Sequence, residues 1–465
     1  MSGTGQYRHR DGEKVVTVSR VMGLLTGIVL AIWLAASARA GGEDEAILRL
    51  LHEGRFAEAQ TRADRWAEAE PSPRTEFFRA FPLYWRLLYE EDAPALQGRF
   101  EARLRDTIAS GARCLAQSPA DRSPHLWVGT AHLLLGQLEG ARDRPMGAAF
   151  EAKKARRALE QAKPGPDALD ALWGLGAYDV LADSLPAAAR PLRALLSLPA
   201  GDRARGLARL ERAARESPHF ALEARLLLMT LHMKKSGRRS EALRHARALA
   251  DREEASLAAR YGAGRVLVRL GRIAEADALL AGAEERAREP GVDPVVLAAL
   301  RLERARAQLA DLRPDRALEQ LEPLLSPPAT VPATLRDEAR GLQAEAAGLA
   351  ALPPFRAATA PAPDGTLCQP SAPEPGDPVV ALMSGRCLMQ ARRAAEASTL
   401  LAGAARDTRL PEPWKGPARL LAGQAADAAG DRSGALDWYR KALESPAFPA
   451  REAARLHLEV AYRAE

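Results

Sequence analysis

His125 and His132 stand seven residues apart, so on a helix they share one face two turns apart, with Trp127 beside them. Two imidazoles can begin a zinc site, but zinc needs three or four ligands and no acidic residue is spaced to complete the set. The pair therefore reads as half-buried helix histidines. His52-Glu53 is followed by Gly-Arg-Phe, so the His-Glu-x-x-His pattern of a zinc peptidase is missing. Gly174-Leu175-Gly176 lacks a third glycine at dinucleotide spacing and carries no phosphate-loop lysine. There is no Gly-x-Ser-x-Gly nucleophile elbow. With no nucleophile, base or metal set, the chain is expected to be non-catalytic, with no cofactor and no metal. Cys114, Cys368 and Cys387 form no Cys-x-x-Cys pair. In an oxidising compartment Cys368 and Cys387 have a disulfide open to them, which would leave Cys114 free; buried unpaired thiols are the alternative.

What positions side chains in this chain is helix. Of 465 residues, 47% are apolar and only 5% aromatic, so the core must be built from Ala and Leu. Ala, Leu, Arg and Glu fill almost every window, and runs of Val, Ile and Thr that would favour strands are nearly absent. Arg outnumbers Lys by 58 to 8 and Asn does not occur, which points to a GC-rich, bacterial coding bias and excludes Asn-linked glycosylation. Formal net charge is +6, and +3 remains beyond residue 40. Over such a length that is no nucleic-acid footprint, and no basic block with interleaved aromatics exists.

Val21 to Ala38 is an unbroken run of apolar and small residues, preceded by basic ones and ending at Ala38-Arg39-Ala40. Residues 1–40 are expected to be a secretory signal peptide, or an N-terminal membrane anchor if the run is not cleaved. Either way the basic flank stays in the cytoplasm and the rest is exported, to the periplasm or envelope in the first case and anchored at the inner membrane in the second. Membrane contact is expected only through residues 21–38.

A spacing recurs downstream. Gly271 is followed five residues later by Ala276 and seven further by Ala283. Gly54, Ala59 and Trp66 repeat it, as do Gly201, Gly206 and Ala213, then Gly237, Ala242 and Leu249, and finally Gly430, Ala435 and Ala442. Leu312, Ala317 and Leu324, and Arg392, Ala397 and Ala404, keep the interval with a degenerate start. From Gly201 to Gly237 is 36 residues and from Gly237 to Gly271 is 34, a helix-pair period. The first residue turns the chain in a left-handed conformation, and the two small ones let helices approach. Gly264 and Gly423, seven residues before a turn, supply the matching small position on the first helix.

This spacing resembles the tetratricopeptide repeat family, and AGQAADAAGDRSGALDWYRKALESP, Ala422 to Pro446, is the nearest copy. The resemblance implies an all-α fold, a solenoid of antiparallel helix pairs wound into a right-handed superhelix. Within 174–214, Gly174, Gly176, Ser184 to Pro186, Leu195, Leu196, Gly201 to Arg203, Gly206 and Leu207 fall in an order similar to a tetratricopeptide subfamily that includes outer-mitochondrial-membrane-associated proteins. The plainer reading is that these glycines allow tight helix packing.

The expected organisation is a helical array over 43–352, a Pro-rich linker over 353–378, and C-terminal helix pairs over 379–465 that dock back on the main array. In the family the concave groove is lined by the first helix of each pair. The groove positions fall here on Lys234, Lys235, Tyr261, Arg265, Arg269, Arg306 and Arg386. That basic stripe implies an acidic or carboxylate-bearing polypeptide partner, or else a solvated helix face. The chain is accordingly expected to be an interaction scaffold of the bacterial envelope, with a membrane-anchored assembly factor as the alternative. An enzyme with an unrecognised helical site is the least favoured reading.

Overall fold

A computed structural model describes residues 42–90, 93–163, 165, 167–183, 199–234, 238–251, 256–326, 331–350, 376–445 and 448–463. Residues 1–40, the linker as far as residue 375, Lys235, Gly237 and Cys368 lie outside them. Twenty helices are described: α1 (Glu43–His52), α2 (Phe56–Ala69), α3 (Pro73–Leu87), α4 (Pro94–Gln117), α5 (Ser123–Ala141), α6 (Pro145–Ala162), α7 (Ala168–Asp183), α8 (Arg203–Glu216), α9 (Ala221–Met233), α10 (Arg239–Ala250), α11 (Leu257–Arg269), α12 (Ile273–Arg286), α13 (Pro294–Ala310), α14 (Pro314–Leu325), α15 (Ala333–Ala350), α16 (Pro378–Gln390), α17 (Ala394–Arg406), α18 (Glu412–Ala428), α19 (Arg432–Ala442) and α20 (Phe448–Glu459). No strand occurs among the described residues. The chain divides into two units, Met1–Arg49 and Leu50–Glu465, and of the first only residues 42–49, most of α1, are described. The packing that follows belongs to the second.

Start signals are local. Ser72 closes a capping box with Thr75, and Asp202, Ser256, Asp293 and Asp377 each accept a backbone N–H at a helix start. Pro378, the last proline of the expected linker, opens α16 instead. From α2 to α15 every helix packs on the next, and the odd-numbered helices from α3 to α15 also touch the next odd one. The same pattern restarts at α16, with α16 on α18 and α18 on α20.

Among the described residues, six turns between paired helices share one geometry. Gly54, Gly271 and Gly430 take φ of +72°, +71° and +88°, and the degenerate starts Leu312 and Arg392 take +56° and +58°. At each, the turn residue's N–H bonds a carbonyl three back and the next N–H bonds one five back, as in Gly271 to Val268 and Arg272 to Leu267. Asp143, at +54°, makes the same two bonds. It starts a copy absent from the expected set, with Gly136 seven before, Ala148 five after and buried Ala155 seven further.

Small residues do what the spacing requires. Ala59, Ala213, Ala242, Ala276, Ala283, Ala435 and Ala442 are fully buried. A Cβ on Gly264 would lie 2.4 Å from Leu280 Cδ2, and one on Gly423 2.5 Å from Tyr439 Cε1. Gly385, seven before Arg392, meets Leu401 in the same way. Gly201 departs from the pattern and is not left-handed: a Cβ there would fall 2.3 Å from the Asp179 carbonyl. A Cβ on Gly206 would lie 2.9 Å from the Gly176 carbonyl, so in this copy glycine serves the close crossing of α7 and α8.

The last helix returns to the middle of the chain. α20 packs on α10 and α11. Arg239 pairs with Glu452 at 3.0 Å, both side chains 4% exposed. The Glu459 carboxylate accepts from Arg239 N and Ser240 N at the start of α10, where Arg238 offers no side-chain cap. Ala453 sits over Gly271, where a Cβ would come within 2.7 Å of it. The turn glycine therefore serves twice, once for its left-handed φ and once for its bare α-carbon.

Candidate functional site

Where the groove was expected, the basic residues meet partners within the chain. Tyr261 is buried on α11 and stacks on Tyr89, just past α3, at 4.6 Å between ring centres. Arg265 lies 5.4 Å over the Tyr261 ring and places Nε 3.2 Å from Glu303, a buried carboxylate on α13. Arg306 reaches Glu303 at 2.5 Å and also Glu338 on α15. Arg386 is buried on α16 and bonds Asp311 at 2.6 Å. Burial pulls the Arg386 guanidinium down against the charge of Asp311, and pushes the Asp311 carboxyl up against Arg386 and Arg313. Lys234 is exposed at the end of α9 and Arg269 is half-buried in the last turn of α11. A charge reversal at Arg265 would set two carboxylates against each other, so such a variant reports stability before it reports binding.

Aromatic residues are scarce, yet Phe77, Phe78, Phe81, Tyr84 and Trp85 all lie on α3. Their rings meet Trp127 of α5 at 5.3 Å and Phe220, which precedes α9, at 6.0 Å. Among the described residues α3 is the aromatic hub, with Trp127 of α5 and Phe220 packed against it.

At the edge of this hub lies a constellation that spacing did not reveal. Asp170 on α7 bonds His219 Nδ1 at 2.7 Å and the His219 N–H at 3.1 Å, and accepts from the Ser217 hydroxyl. His219 Nε2 stands 3.5 Å from Arg74, whose guanidinium lies 5.5 Å over Trp66 and 5.9 Å over Trp127. Arginine can only donate, so Nε2 accepts and Nδ1 carries the proton. Asp170 orients an imidazole as a catalytic carboxylate would, but Ser217 bonds the carboxylate rather than the imidazole. Its oxygen also accepts from Phe220 N at 2.9 Å, which makes the serine a helix-start residue and not an activated nucleophile. Asp167, beside it, is pushed above the usual carboxylate range by burial and then by the Asp170 charge. The only trace in the sequence was Ser217-Pro218-His219-Phe220, a polar pair at a helix start whose acceptor lies 47 and 49 residues earlier.

His132 and His125 serve separate roles. His132 bonds Glu151 of α6 at 2.5 Å, and its pKa is lowered by burial despite that carboxylate. His125 is half-buried and lowered by burial and then by Arg122. Among the described residues no group of three or more His, Cys, Asp or Glu side chains could hold a metal ion. Cys387 is disulfide-bonded and Cys114 is a free thiol. No described helix is long and apolar enough to cross a membrane. No family model matches the chain, and comparison with curated proteins finds no match.

Proposed function

We propose that the chain is a non-catalytic scaffold of the bacterial cell envelope, a right-handed solenoid of tetratricopeptide-like helix pairs that binds a polypeptide along its odd-numbered helices. The observation that carries this reading is the row of contacts from α3 through each odd-numbered helix to α15, with the same left-handed turn recurring after α5, α11 and α13. A two-helix unit stacked on its neighbours propagates as a curved array with one long face, and binding extended segments is what such faces do. Lys234, exposed on that row, favours an acidic segment. The Val21–Ala38 run would deliver the chain across the membrane. Kept as an anchor, it would make the same array a membrane-bound assembly factor, and the N-terminal residue of the mature protein, Gly41 or Met1, separates the two.

The test is site-specific photo-cross-linking of the full chain in its own cells. A cross-linking residue at position 234 is expected to capture a polypeptide, with yield falling as salt rises. One at Gly282, exposed on α12, is expected to capture none. Equal yields from both positions, or no adduct from 234, would overturn the reading.

A further inference from the structure

Glu223, in the first turn of α9, has a side chain only 1% exposed, and neither of its oxygens accepts a hydrogen bond. Asp170, Asp179, Glu284, Glu303 and Glu452, buried to a similar degree, all meet donors within the chain. His52, at the end of α1, places Nε2 3.8 Å from Glu223 Oε1, too far for a hydrogen bond, and that nitrogen is itself buried and unbonded. The His52 ring stands edge-on to Trp85 at 5.0 Å, and the Trp85 indole N–H is also unbonded. Tyr84 completes the wall: burial, and after it the Glu223 charge, push its phenol above the ordinary range. Burying a carboxylate's charge out of water and without donors costs several kcal/mol, a penalty that a bound cation would remove.

We infer that Glu223, His52, Tyr84 and Trp85 form a binding site for a primary ammonium group. The match is in number and in charge. Glu223 offers two unpaired oxygens, and His52 offers one unpaired nitrogen when its proton is on Nδ1. A primary ammonium carries three N–H donors and one positive charge. The flanking aromatic rings favour a cation further. One carboxylate and one imidazole are too few to hold zinc, and a quaternary ammonium has no N–H to give Glu223. His52, with its side chain 22% exposed, and the partly exposed Tyr84 are the members that face solvent. The inference does not depend on the polypeptide-binding reading, since a free amine tests it alone.

The experiment is thermal unfolding of the full chain in methylammonium chloride, in Nα-acetyl-lysine amide, and in tetramethylammonium chloride at matched ionic strength. Methylammonium is expected to raise the midpoint by about 1–3 °C and saturate, with no such rise from tetramethylammonium. A rise with acetyl-lysine amide as well identifies a lysine side chain as a ligand the site reaches; a rise with methylammonium alone identifies a small free amine. Glu223→Gln is expected to abolish the effect, and His52→Phe, which keeps the carboxylate, to weaken it about tenfold through the loss of one hydrogen bond to a charged group. No rise beyond the tetramethylammonium control, or an undiminished rise in Glu223→Gln, would overturn the assignment.

Discussion

Replacing Glu452 with Ala should release α20 from α10 and α11 without unfolding the array. Glu452 and Arg239 bond at 3.0 and 3.1 Å with both side chains nearly sealed from water. Removing the carboxylate takes from the buried guanidinium its two bonds to Glu452, a loss of about 3–5 kcal/mol. Hydrogen exchange resolved by segment is the assay: at 1.4 kcal/mol per tenfold, amides of α20 should exchange at least 100-fold faster, while those of α5 and α6 stay unchanged. The double variant Glu452→Met with Arg239→Met separates a structural pair from a merely adjacent one. With both buried charges gone, and only the one-third-exposed Arg455 losing its Glu452 contact, it should recover most of the loss. If the single change costs under about 1 kcal/mol, as an exposed pair would, or if the double variant is as damaged as the single one, the closure does not depend on this pair and the argument fails.

Three further outcomes follow from the repeat and from α20. Gly264→Ala, whose new methyl would strike Leu280, should destabilise by about 1–3 kcal/mol, while Gly282→Ala, with nothing nearer than an Arg260 nitrogen at 3.7 Å, should stabilise by up to about 1 kcal/mol; urea midpoints compare them. Arg392→Gly should stabilise by about 1 kcal/mol in the same assay, because an exposed non-glycine residue holds φ +58° there. His457 on α20 has its pKa pushed down to about 4, by burial before anything else. Its folded value lies below the ordinary 6.5, so its contribution is complete above pH 6.5 and is lost as pH falls towards 4, by about 3 kcal/mol in all. Protection factors in α20, which remove the intrinsic pH dependence of amide exchange, should therefore fall between pH 7 and pH 5, and His457→Phe should flatten that dependence.

How much of this could be read from spacing depends on how far apart the interacting residues lie. Gly271, Ala276 and Ala283 act within one hairpin, so their intervals already state the geometry, and Leu312 and Arg392 show that the interval outlasts the glycine that usually marks it. Asp143 escaped because its copy begins with neither glycine nor an obvious apolar run, although Gly136, Ala148 and Ala155 held the frame. The fate of the basic stripe was not legible in this way. Arg386 finds Asp311 across 75 residues and Arg306 finds Glu338 across 32, and no periodicity carries such information.

A helix face rich in arginine looks the same in sequence whether water or a distant carboxylate meets it. The distinction lies in the partner, and here the partner is often a lone Glu or Asp on the next odd-numbered helix, as Glu303 is for Arg265. Glu223 is the converse case: a carboxylate at a helix start, where an acid ordinarily favours the N-terminal dipole and needs no explanation. Only burial without a donor separates it from Glu241 or Glu275, which stand in the first turns of α10 and α12 and find Arg244 and Arg247. For an arginine-rich array the informative residue is thus the acid that no arginine has reached.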